Sequence, residues 1–140
     1  MLKQDQLIVK SRLEDLTQVQ QWFDSFCSAS KLPWLEAVFD QVNLALAEGF
    51  TNAVRHAHAH LPMDTPIEID LLLWQEKLEV QVWDMGGPFN PDDLVEPEPG
   101  TLKVGGYGWF LMRRLADNVD YKRDNVGRNC LRIVKCSTMS

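Results

Sequence analysis

The stretch IEIDLLLWQEKLEVQVWD, Ile67 to Asp84, decides the fold. Ile67, Ile69, Leu71 and Leu73 alternate with Glu68 and Asp70, and Leu78, Val80 and Val82 alternate with Glu79, Gln81 and Trp83. A period of two belongs to strands with one buried face. Gln75 to Lys77 supplies a tight turn, so two antiparallel strands are predicted. Asp84 keeps the parity of Leu78, Val80 and Val82 and therefore points toward the core side just as its strand ends.

Outward from this hairpin, the same patterning gives the remaining elements. Gln6 to Arg12 reads as an edge strand, and Ser11 stands three residues before Glu14 at capping-box spacing. Leu16, Val19, Phe23, Phe26 and Cys27 recur at helical steps to about Ser28, and Lys31 to Pro33 break the chain. Leu35, Val38, Phe39, Val42, Ala45, Leu46, Gly49, Phe50 and Ala53 form one stripe of a long second helix. Leu61 to Pro66 is a turn. After Asp84 the chain becomes rich in glycine, proline and acid up to Gly106, which predicts a lid or binding loop. Trp109 to Leu115 is helical, and Val119 to Arg123 and Cys130 to Lys135 are strands joined by a turn over Asp124 to Asn129. The order predicts a two-layer α+β sandwich, a mixed but mostly antiparallel sheet with helices on one face.

A chain of 140 residues with 45% hydrophobic and 24% charged side chains is expected to form one ordered domain. The formal charge of −6 speaks against a nucleic-acid or anionic-membrane binder. Three cysteines, Cys27, Cys130 and Cys136, lack metal-ligand spacing and fit a reducing cytoplasm. The N-terminus has no apolar segment of signal-peptide kind, and no run nears the roughly 20 apolar residues that span a bilayer.

Three places are suited to chemistry. Glu48 and Asn52 lie one turn apart on the shoulder of the second helix, where a helix packed on a sheet lines a cleft; a solvated flank is the plain alternative. Asp84 is costly to bury without donors and is suited to accepting the exocyclic amino group of a purine; a turn-initiating aspartate is the alternative. Gly106 and Gly108 precede a helix, so bare backbone amides and a helix N-terminus converge in a manner suited to phosphate, or merely form a flexible helix entry. His56 and His60 share a helix face but have no third ligand at recognisable spacing, and His56 is expected to be a hydrogen-bonded core histidine.

Taken in order, E-x-x-x-N-A at Glu48, Asn52 and Ala53, D-x-G-x-P-F at Asp84, Gly86, Pro88 and Phe89, and G-x-G-x-x-L at Gly106, Gly108 and Leu111 resemble the GHKL ATP-binding superfamily and its Bergerat fold. AEGFTNAVRHAH, GGYGWFLMRRLADNVDY and GRNCLRIVK look like the anti-sigma-factor serine kinases of bacterial partner-switching systems. The resemblance implies ATP and Mg2+ as cofactors, with Asn52 as the magnesium ligand and Glu48 as general base. It implies that Asp84 holds the adenine amino group, that Gly86 lets the base approach, and that Gly106 and Gly108 cradle the triphosphate under a lid over about residues 86–105. In this chain Pro88 replaces a second glycine common in the family. Val104 stands where some members carry an arginine near the γ-phosphate, and Lys103 is the neighbouring cation that takes its place. The implied activity is a cytoplasmic protein serine/threonine kinase. Its substrate would be a small STAS-type anti-anti-sigma protein, its second partner a sigma factor, and its state a homodimer. Two rivals stay open: a nucleotide-dependent binding module without transfer, and the catalytic fragment of a histidine kinase.

Overall fold

The computed structural model describes residues 1–88 and 107–137, with the side chain of residue 107 left aside. Its elements are β1 (Lys3–Lys10), α1 (Leu16–Ser30), α2 (Pro33–Asn52), β2 (Pro66–Leu73), β3 (Lys77–Asp84), α3 (Tyr107–Leu115), β4 (Asn118–Arg123) and β5 (Asn129–Cys136). The five strands form one sheet in the order β1-β2-β3-β5-β4, and all four ladders are antiparallel. The architecture is the expected α+β sandwich.

The alternation in β2 and β3 works as a physical sorting. Ile67, Ile69, Leu71, Leu73, Leu78, Val80 and Val82 are buried under the helices. There they meet Val19, Phe23 and Phe26 of α1, Leu35, Val42, Leu46 and Phe50 of α2, and Met112 of α3. Fully burying side chains of this size stabilises by about 1.5–3 kcal/mol each. Phe23 and Phe39 stack across the α1–α2 seam with ring centroids 5.4 Å apart. The opposite face of the sheet is charged: Arg132 bridges Glu79 at 2.9 Å and Asp120 at 3.1 Å, and Arg128 lies over the Trp83 ring at 4.4 Å.

Two local expectations are corrected. The capping box at Ser11 and Glu14 does not form. A short 3-10 turn over Leu13–Asp15 intervenes, and Asp15 instead accepts the Lys10 N–H at 2.9 Å and the Arg12 guanidinium at 2.8 Å. The second helix also does not stay α-helical to His60: it passes at Ala53–Ala57 into a π-turn in which the His58 N–H reaches the Ala53 carbonyl at 2.8 Å. A π-turn holds one more residue than an α-turn, so the side chains beyond it come round late. His58 is therefore the buried histidine, and His56 is exposed.

The order of the sheet places the site. Because β5 inserts between β3 and β4, Asp84 stands opposite Asn129, and Asn129 opposite Arg123. One row further in, Val82, Leu131 and Tyr121 are aligned in the same way. Most of the expected lid, from residue 89 on, lies outside the described residues, as do Lys103 and Gly106.

Candidate functional site

A cavity of about 430 Å³ opens between α2 and the sheet. That volume is in the ordinary range for small-molecule sites, roughly 300–1,000 Å³. Gly49, Asn52 and Ala53 line it from the helix, Val82 and Asp84 from β3, and Tyr121, Leu131 and Trp109 from the far side. His56, Ala57 and His60 stand beside Gly87 and Pro88 at its rim. An apolar chamber with one carboxylate and one carboxamide on its walls suits a flat, partly polar ligand.

Asp84 is buried, as its parity predicted, and its charge is compensated by donors. Its Oδ1 accepts the Gly86 N–H at 2.9 Å and the Asn129 Nδ2 at 2.9 Å, and its Oδ2 accepts the Tyr121 hydroxyl at 2.6 Å. Asn129 is buried as well and also donates to the carbonyls of Gly86 at 3.0 Å and Gly87 at 3.2 Å. Arg123 donates to the Gly86 carbonyl at 3.1 Å and to Asn129 Oδ1 at 3.3 Å. The chain leaving β3 is thus fastened to the start of β5 by side chains rather than by a ladder. From the other side, His58 Nε2 accepts the Met85 N–H at 2.8 Å. Burial lowers the His58 pKa while the Asp84 charge opposes that shift, so the ring is held neutral and able to accept. Burial pushes the Tyr121 phenol up, and its bond to Asp84 adds to the rise, which keeps its proton in place.

Two glycines are fixed by close approach. A Cβ on Gly86 would lie 2.5 Å from the Ala57 carbonyl oxygen, so the loop after β3 packs directly on the π-turn. A Cβ on Gly108 would lie 2.6 Å from Glu48 Oε2, 3.5 Å from Asn52 Oδ1 and 3.6 Å from Asn52 Nδ2. The start of α3 therefore meets the polar shoulder of α2. Glu48 and Asn52 are half-buried there, neither core nor free flank.

The structure thus gathers Asn52, Asp84 and Pro88 around one cavity, with Gly86, Gly108 and Glu48 directly adjoining. Lys103 and Gly106 fall outside the described residues. Sequence reasoning missed Tyr121, Asn129, His58 and Trp109. Asn129 and Tyr121 carried the signal that singled out Asp84, a polar group at core-facing strand parity, since they share the parity of Leu131 and Val119. His58 carried none, because only the π-turn turns it inward. Among the described residues, no three His, Cys, Asp or Glu side chains converge as metal ligands.

None of the helices among the described residues is long and apolar enough to cross a membrane. The family described as the histidine kinase-like ATPase domain matches residues 9–135. The chain is similar to a serine-protein kinase RsbW of Listeria monocytogenes, 31% identical over 100 residues, covering 65% of this chain and 62% of that protein. It is similar to the protein of the same name from Halalkalibacterium halodurans, 30% identical over 105 residues, covering 69% of this chain and 63% of that one. The Bacillus licheniformis counterpart is 28% identical over 109 residues, covering 69% and 65%. The chain thus spans a little over three-fifths of the length of these relatives. With the match running through both walls of the cavity, from β1 to β5, the chain belongs to the histidine kinase-like ATPase domain family.

Proposed function

We propose that this chain binds ATP in the cavity between α2 and the sheet and transfers the γ-phosphoryl group to a serine or threonine hydroxyl of a protein. The observation that carries the reading is the convergence of three separated stretches: Asp84 and Asn52 on the walls of one cavity, and Gly108 against Glu48. A buried carboxylate is an acceptor and suits an exocyclic amino group. The apolar walls from Val82, Leu131 and Trp109 suit the faces of a base. The bare Cα of Gly108 lets the start of α3 come close to Glu48 and Asn52, and phosphates and a cation would lie beside this junction.

In this reading Asp84 orients the base, Gly86 and Pro88 shape the edge of its pocket, and Gly106 and Gly108 present backbone amides to the phosphates. Asn52 would be the protein ligand of Mg2+, an ion that keeps most of its waters and needs few side chains. When bound, Mg2+ would neutralise charge on the phosphates. Glu48 would take the proton of the attacking hydroxyl, and Lys103 would supply positive charge near the γ-phosphate. Residues 1–140 would act as one domain, with a lid over about 86–105. The names of the relatives, serine-protein kinase RsbW, support a protein hydroxyl as acceptor. We further infer a STAS-type anti-anti-sigma protein as the substrate, a sigma factor as second partner, a homodimer, and a cytoplasmic setting.

The test is incubation of the protein with labelled ATP, Mg2+ and candidate STAS proteins from the same genome. Glu48→Gln is expected to keep ATP affinity and lose transfer by about 10²–10⁴-fold, the usual worth of a general base. Undiminished transfer by that variant removes the base assignment. Binding of ATP without transfer to any protein favours a nucleotide-dependent binding module, and no binding of ATP ends the reading.

A further inference from the structure

His58 is a titratable group that the proposed transfer does not use, and it holds the chain that forms the rim of the cavity. The ring is buried, and its Nε2 accepts the Met85 N–H at 2.8 Å. Its Nδ1 is buried too and has no hydrogen-bond partner among the described residues. A neutral ring whose Nε2 accepts carries its proton on Nδ1. Protonation would therefore give the ring two N–H donors and an acceptor for neither, one of them set against the Met85 N–H. That state is costly unless the ring or the Met85 amide moves.

The groups around the ring do not supply the missing acceptor. Burial disfavours the charged ring most, and the charge of Asp84 on β3 acts the other way. Asp84 is itself engaged, by the Gly86 N–H and Asn129 on Oδ1 and by Tyr121 on Oδ2. Arg123 of β4 donates to the Gly86 carbonyl, and Arg55, His56 and His60, from the same segment as His58, are exposed.

What moves when the ring charges is the edge of the cavity. Met85 is followed by Gly86, packed on the Ala57 carbonyl, and by Gly87 and Pro88, which line the cavity. Asp84, Arg123 and Asn129 tie this stretch to the sheet, and His58 ties it to the helical layer. Among these side chains, histidine is the one that ordinarily changes charge between about pH 5 and 8.

The geometry points to His58 as a proton-sensitive fastener of the cavity rim: its neutral ring holds residues 85–88 in the form that receives a nucleotide, and its protonation releases them and weakens binding. This rests on the nucleotide-binding reading above. By reciprocity, binding of the nucleotide drives the proton off the ring.

The experiment measures the Kd of ATP with Mg2+ from about pH 7 to 5, for the wild-type protein and for His58→Gln, whose side-chain oxygen accepts a hydrogen bond and does not titrate. The variant retains His56 and His60, so their titration and that of the ATP phosphates cancel in the comparison. On acidification the wild-type Kd is expected to rise at least about threefold more than that of the variant, the ceiling for one proton being about tenfold per pH unit. A rise of equal size in both overturns the coupling. In the nucleotide-free wild-type protein, the Met85 amide resonance is expected to shift with the same midpoint as the His58 ring. A Met85 resonance that stays in place while the ring titrates overturns the fastening, and this measurement needs no variant to fold. Failure of the wild-type protein to bind ATP at neutral pH removes the nucleotide reading and the coupling with it, while the Met85 resonance still decides the fastening.

Discussion

At the scale of single residues, the buried polar groups beneath the cavity form a connected set in which each member fixes the protonation or orientation of the next. His58 shows the consequence for pH. Its Nε2 can accept the Met85 N–H only while the ring is neutral. Burial lowers its pKa below the ordinary 6.5, with the Asp84 charge working against the shift. The sign follows directly: the unfolded chain takes up this proton at higher pH than the folded one, so the unfolded state binds more protons once the pH falls through 6.5. The stabilising effect of the neutral ring is complete above that value and is lost on acidification toward the folded pKa. The slope from one such group is at most about 1.4 kcal/mol per pH unit. Urea midpoints of the wild-type protein and of His58→Gln, which keeps an acceptor and does not titrate, are expected to diverge as the pH is lowered from 7 to 5, with the wild-type protein falling more steeply. A difference between the two that stays constant over this range would show that the folded protein takes up the His58 proton as readily as the unfolded chain, so that the fold does not lower its pKa.

At the scale of elements, the period-two alternation in residues 67–84 was readable because burial sorts strand side chains one by one, and the strands came out close to their expected bounds. The polar shoulder of α2 was readable because Glu48 and Asn52 stand together beside an apolar stripe, and both are half-buried. What could not be read was the π-turn at Ala53–Ala57, since nothing in AVRHA distinguishes it from another turn of α-helix, and it moved the buried histidine from His56 to His58. The pairing of β3 with β5 was equally hidden, because local pattern does not reveal which strand inserts between two others, so Asn129 could not be placed beside Asp84 in advance. The two close-approach glycines separate the structural from the chemical part of this assembly. At Gly86 a methyl group meets the backbone oxygen of Ala57 at 2.5 Å, and neither element can move without breaking the bonds to Asn129 and His58. At Gly108 it meets the far end of Glu48, a side chain free to swing. Gly86→Ala is therefore expected to lower stability by about 1–3 kcal/mol, the usual cost of overpacking. Gly108→Ala is expected to leave the urea midpoint nearly unchanged while reducing phosphoryl transfer. Equal destabilisation by both would mean that the start of α3 is as rigidly docked as the loop after β3.

At the scale of the whole molecule, the cavity is bounded by both layers of the sandwich: α2 supplies one wall, and β3, β4, β5 and the first turn of α3 supply the others. A ligand that touches all of them resists separation of the helical layer from the sheet, which is the event that unfolding requires. Binding to the native state alone stabilises by mass action, about 2.7 kcal/mol at a ligand concentration one hundred times Kd. For a chain of 140 residues this corresponds to a rise in Tm of roughly 5–15 °C. ATP with Mg2+ is expected to produce such a shift in the wild-type protein. On the proposed reading, Asp84→Asn puts an amide donor where the base would find an acceptor, and it is expected to lose most of the ATP-induced shift relative to its own nucleotide-free baseline. On the same reading Glu48→Gln would lie at the phosphate end and is expected to retain it. The two carboxylates would then report separately, Asp84 on recognition and Glu48 on transfer. A nucleotide shift that survives Asp84→Asn at full size would place the base elsewhere in the molecule, whatever the transfer assay then gave for Glu48.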